Sequence, residues 1–90
     1  MKSVATKRFW HCFHALPAEV QRQAEATYRL WREDPRHRSL GFKRLHARRP
    51  VFSVRIGLHW RALAVQDGDT VVWMWIGSHA EYDRLVAGFR

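Results

Sequence analysis

Phe52-Ser53-Val54-Arg55-Ile56-Gly57-Leu58 alternates apolar side chains with small or charged ones, and Trp60-Arg61-Ala62-Leu63-Ala64-Val65-Gln66 follows after a single residue. A period of two marks a half-buried strand, so Phe52, Val54, Ile56 and Leu58 are expected on the core side and Arg55 away from it. Trp60 to Gln66 reads as the next strand. Asp67-Gly68-Asp69 is a hairpin turn, because Asp and Gly tolerate the positive φ that such turns require. Thr70 to Ile76 then returns, and its run Val71-Val72-Trp73-Met74-Trp75-Ile76 is apolar on both faces, as in a central strand with helices covering one side. Arg55 and Arg61 share a face only if the turn between their strands is odd in length or bulged, a register the sequence leaves open.

Upstream the period changes. Phe9, Phe13, Leu16, Val20, Ala24, Tyr28 and Trp31 recur at helical spacing among polar Arg22, Glu25, Arg29 and Arg32. Pro17 divides this stretch into helices at about Thr6 to Ala15 and Pro17 to Glu33, since proline suits a first helical position, and Asp34-Pro35 ends the second. Downstream, Ser78-His79-Ala80-Glu81 has the capping-box spacing, and Tyr82, Leu85, Val86 and Phe89 form the apolar stripe of a last helix. The expected fold is α+β, with two N-terminal helices packed on a small antiparallel sheet of three to four strands and a C-terminal helix. Lys2-Ser3-Val4-Ala5 is barely long enough to add a first strand at the sheet edge.

Ninety residues suit one domain spanning 1–90. So small a core needs large side chains, and five Trp, five Phe and two Tyr supply them. Sixteen Lys and Arg oppose eight Asp and Glu, a formal charge of +8. From Pro35 to Gln66 there is no acidic residue, while Arg36, Arg38, Lys43, Arg44, Arg48, Arg49, Arg55 and Arg61 all fall there. That one-sided field suits a nucleic acid or an acidic protein better than a merely solvated surface. The single Cys12 precludes an intramolecular disulfide. The N-terminus does not read as a signal peptide and no segment approaches a membrane span, so a cytoplasmic protein without membrane association is expected.

His79, in the first turn of the last helix, is the candidate proton-transfer group. The positive end of the helix favours a neutral imidazole and offers unpaired N–H groups to a phosphate. Tyr82, three residues on, falls near it, as part of the packed stripe or as a proton donor or acceptor. Arg55 and Arg61 suit charge neutralisation at a phosphate, with Lys43, Arg44, Arg48 and Arg49 along the flanking backbone of an RNA. His11, Cys12 and His14 lack a second ligand pair, so no metal or other cofactor is expected. No Walker A, GxGxxG or Ser-His-Asp signature is present. Trp60, Trp73 and Trp75 are read as core rather than as base-stacking platforms.

The order Leu16-Pro17, a long helix ending in Asp34-Pro35, Phe42-Lys43 to Leu45, Ser53-Val54-Arg55-Ile56-Gly57, Trp60-Arg61-Ala62-Leu63 and Ile76-Gly77-Ser78-His79-Ala80-Glu81-Tyr82-Asp83 resembles the RelE/ParE toxin superfamily. The resemblance spans nearly the whole chain and is most specific from Phe52 to Leu85. It implies a microbial-ribonuclease-like fold in the toxin of a type II toxin-antitoxin pair, held in check by an acidic antitoxin that folds on the basic face. It implies one of two activities: ribosome-dependent cleavage of messenger RNA through the substrate's own 2′-hydroxyl, or inhibition of DNA gyrase without chemistry. A non-toxic RNA- or antitoxin-binding module is the third reading. Arg55, Arg61, His79 and Tyr82 match the family's ribonuclease positions, with Lys43 in the preceding loop. No Glu or Asp is expected to accompany them, which leaves His79 as the acid or base.

Overall fold

In the computed structural model, which describes residues 2–88, the chain runs β1 (Lys2–Ala5), α1 (Lys7–His14), α2 (Ala18–Glu33), a 3₁₀ turn (Arg38–Leu40), β2 (Lys43–Arg44), β3 (Val51–Ile56), β4 (Trp60–Asp67), β5 (Thr70–Ser78) and α3 (His79–Ala87). Thr6 caps α1 by accepting the Phe9 N–H at 3.1 Å. Pro17 stands at the cap of α2, one residue before the expected position, and Gln21 Nε2 donates to the Leu16 carbonyl at 3.0 Å to close the corner between the helices. Of the expected stripe, Phe13, Val20, Ala24 and Trp31 are buried, Phe9 and Leu16 half-buried, and Tyr28 exposed. Phe89 of the expected last stripe lies outside the described residues.

The sheet has five strands in the order β1-β5-β4-β3-β2, and it is mixed. This corrects the expectation of an antiparallel sheet of three to four strands. Lys2-Ser3-Val4-Ala5 does form a strand, and it runs parallel to β5. The reason is tertiary: Ser3 Oγ accepts both the Trp73 indole N–H and the Tyr28 hydroxyl at 3.0 Å, so a four-residue strand is anchored between β5 and α2. The other addition is β2, whose two residues pair with β3 at the opposite edge.

Both faces of the sheet are covered in part. Helices α1 and α2 bury Val54, Ile56, Ala62, Ala64, Val71, Trp73 and Ile76 around Trp31 and Leu40. On the other face Leu63, Trp75 and Tyr82 form a second cluster with Leu45, Leu85 and Val86. One residue makes this possible. Leu63 pairs with Trp75 but Ala64 with Trp73, so Met74 is an unpaired bulge residue. The bulge shifts the alternation, letting Trp73 and Ile76 face one core while Trp75 faces the other. The doubly apolar run of β5 thus serves two cores, where the sequence suggested helices on one side only.

Two further expectations change. Ser53, placed with Arg55 on the open face, is only 2 % exposed, because α3 lies over it. Leu58, assigned to the core side of β3, sits in the β3–β4 loop and is 75 % exposed, because the strand ends at Ile56 and Gly57 turns the chain at φ +61°.

Candidate functional site

The turn from β3 to β4 is Gly57-Leu58-His59, odd in length, and it settles the register. Ile56 pairs with Trp60, and Arg55 lies directly opposite Arg61. Side chains opposite each other in an antiparallel pair share a face, so the two guanidinium groups rise together on the face not covered by α1 and α2. Each is held separately. Arg55 lies against Gly41, at φ +52°, where a Cβ would come within 2.9 Å of its Nη2. Arg61 Nη1 donates to the Trp60 carbonyl at 2.8 Å, with the Gly57 and Leu58 carbonyls at 3.4 Å.

Two like charges side by side need a counter-charge. Partial burial, and then the Arg55 charge, hold the Arg61 guanidinium below the ordinary arginine value, while Tyr82 and Asp83 act in the opposite direction. An arginine stays charged under such a shift, so a bound anion, rather than loss of a proton, would relieve the repulsion. A phosphate, which accepts several hydrogen bonds at once from planar guanidinium donors, has the right chemistry.

Helix α3 begins beside this pair. The His79 N–H donates to the His59 carbonyl at 2.7 Å, tying the helix start to the loop that carries Arg61's acceptors. The capping box forms as read: Ser78 Oγ accepts the Glu81 N–H at 3.2 Å, and Glu81 Oε1 lies 3.4 Å from the Ser78 N. The N–H groups of His79 and Glu81 are therefore engaged within the protein. The helix end thus offers fewer donors to a phosphate than expected, and the guanidinium pair beside it is the stronger anion-attracting feature.

His79 Nδ1 lies 3.0 Å from Asp83 Oδ2. A carboxylate does accompany the candidate site, contrary to expectation. In the sequence His79 and Asp83 stand one helical turn apart, outside the basic window from Pro35 to Gln66. Tyr82 is buried, with its ring edge-on to His79 at 6.0 Å and its hydroxyl donated to Ser53 Oγ at 3.2 Å. The structure thus puts Tyr82 beneath the site, joining α3 to β3.

The flanking cations divide. Lys43 pairs with Ser53 and so shares the face of Arg55 and Arg61. The pleat turns Arg44 to the other face, where its Nε donates to the His46 and Arg49 carbonyls at 3.0 and 3.3 Å and closes the loop after β2. Arg48 and Arg49 are exposed on that loop, which His46 Nδ1 also holds by accepting both of their backbone N–H groups at 3.0 and 3.1 Å. Among the described residues no cluster of His, Cys, Asp and Glu is arranged to hold a metal ion.

The family model of the ParE-like toxin domain matches residues 18–84, most of the chain and all of the site. The chain belongs to the ParE-like toxin family. Solved toxin structures share its fold. The RelB-RelE antitoxin-toxin complex from Methanococcus jannaschii contains a chain that aligns over 90 % of this one and 96 % of its own length, at 14 % identity and a TM-score of 0.71. A YoeB/ParE toxin from Agrobacterium tumefaciens aligns over 88 % and 99 %, at 18 % identity and 0.66. The toxin-antitoxin complex RelBE2 from Mycobacterium tuberculosis gives 88 % and 91 % coverage, 25 % identity and 0.65. No curated protein matches the chain at a significant level. Membership in the family accounts for the fold, and no helix among the described residues is long and apolar enough to cross a membrane.

Proposed function

We propose that this toxin is a metal-independent endoribonuclease that cleaves messenger RNA on the ribosome. The observation that carries the reading is the direct opposition of Arg55 and Arg61, beside the His79–Asp83 pair, on the sheet face that α3 covers in part. Cleavage through the substrate's own 2′-hydroxyl needs a proton acceptor and neutralisation of charge at phosphorus, nothing more elaborate. His79 takes the 2′-hydroxyl proton, the 2′-oxygen bonds to phosphorus, and the bond to the 5′-oxygen breaks, with water protonating the leaving oxygen. Arg55 and Arg61 stabilise the charge that builds on the phosphate oxygens. Tyr82 positions the nucleotide indirectly, by holding α3 on Ser53. Lys43, Arg48 and Arg49 meet the neighbouring phosphates, and Arg44 keeps their loop in shape.

An acidic antitoxin is the natural inhibitor, since it neutralises the same basic face; several of the similar structures are complexes with an antitoxin. A second reading, a gyrase-binding toxin without chemistry, draws on the ParE-like family description. Expression in a bacterial host with mapping of new 5′ ends separates the two. Cleavage within reading frames that disappears in His79→Ala supports the ribonuclease. Growth arrest with intact messages and inhibited supercoiling supports the gyrase reading.

A further inference from the structure

The ribonuclease reading leaves open which nitrogen of His79 moves the proton and what holds the ring. We propose that Asp83 is the positioning residue of the site: it fixes His79 in the tautomer protonated at Nδ1 and thereby assigns proton transfer to Nε2. The catalytic half of this statement rests on the ribonuclease reading, whereas the tautomer does not.

The 3.0 Å contact joins Nδ1, not Nε2, to Asp83 Oδ2. An ionised carboxylate only accepts, so a neutral ring in this contact carries its proton on Nδ1 and leaves a bare lone pair on Nε2. The pair makes little sense as a helix stabiliser. Its basic member is the first residue of α3 and its acidic member lies a turn later, opposite to the order the helix dipole favours. The helix start is already satisfied by the Ser78–Glu81 capping box and by the His59 carbonyl. The backbone of His79 is tied to the β3–β4 loop, and the Tyr82 ring lies edge-on to one side of the imidazole at 6.0 Å. The side chains are 44 % and 62 % exposed, so water competes with the contact in the free protein and a docked RNA strand shields it.

The test is the ¹⁵N spectrum of the imidazole rings in the whole chain, recorded where His79 is neutral, for wild type, Asp83→Ala and Asp83→Asn. The wild type is expected to show His79 protonated at Nδ1. In Asp83→Ala the ring should revert to the form protonated at Nε2 that an unconstrained histidine prefers, and Asp83→Asn, which keeps a neutral acceptor, should fall between. Cleavage of RNA by Asp83→Ala should drop roughly tenfold or more with unchanged RNA affinity, within the roughly 10²–10⁴-fold that a general base contributes. Asp83 is exposed, and Asp83→Asn provides the reading if the alanine variant loses helix. A wild-type ring protonated at Nε2, or a tautomer indifferent to both substitutions, overturns the proposal. A shifted tautomer with undiminished cleavage overturns its catalytic half. If His79→Ala also cleaves at the wild-type rate, the ribonuclease site assignment fails instead, and the spectrum alone decides the tautomer.

Discussion

Arg55 and Arg61 stand opposite each other, and the depressed value of Arg61 gives the sign of what their removal does. A basic group whose folded-state value is lowered destabilises the fold while it is charged, so neutralising it relieves that penalty. Arg55→Ala and Arg61→Ala should therefore abolish growth arrest while leaving the thermal midpoint nearly unchanged, the lost carbonyl contacts of Arg61 offsetting the relieved repulsion. Retained toxicity in both variants, measured by induction in a bacterial host, removes them from the site. Gly77 is the contrasting case. It pairs with Arg61, and a Cβ there would overlap the Trp75 indole. Gly77→Ala should cost about 1–3 kcal/mol in urea unfolding, as overpacking does, because the ring it displaces belongs to the second core. Arg55 and Arg61 are legible as candidates from residue type and their strands, and His79 from its place in the first turn of the capped last helix. Asp83 is not legible in the same way, because in sequence a charged residue one helical turn from a histidine is indistinguishable from a solvated helix face, and only the fold brings its carboxylate to the ring.

Among the elements, α3 has the most consequence for the site, and two contacts hold it in place. Tyr82 and Ser53 hydrogen-bond in the buried interface between α3 and β3. Tyr82→Phe leaves the Ser53 hydroxyl without its partner and should cost about 1–3 kcal/mol, whereas the double variant with Ser53→Ala should cost less than the sum of the two single changes. A double-mutant cycle by chemical denaturation checks this, and strict additivity contradicts the coupling. The Ser78 cap is the second contact, and Ser78→Ala should lower stability by about 0.5–2 kcal/mol. Its loss reaches the site, since His79 follows the cap directly. The existence of β3, β4, β5 and all three helices could be read from period and capping signals. The strands β1 and β2 are not legible in the sequence, because segments of four and two residues carry too little pattern and exist through their neighbours.

For the whole molecule, the net charge of +8 and its concentration from Pro35 to Gln66 predict that, on the proposed ribonuclease reading, RNA binding weakens as salt rises. Each phosphate contact on a single strand contributes about 0.7 to the slope of log affinity against log salt. Lys43→Ala should reduce that slope by about this amount. Arg44→Ala should act mainly by loosening the loop that presents Arg48 and Arg49, lowering affinity at every salt concentration; filter-binding titrations across salt distinguish the two. A slope unaffected by Lys43→Ala excludes it from the interface. By itself the sequence determined the helical and β periods, the hairpin at Asp67-Gly68-Asp69, the capped start of α3 and the basic field, because these are local properties of residue type and spacing. Only tertiary structure decided the mixed sheet, the Met74 bulge that divides β5 between two cores, the register that sets Arg55 against Arg61, and the hydrogen bond that joins Tyr82 to Ser53. Those depend on how strands and helices pair across long chain separations, where a shift of one residue carries every side chain to the other face.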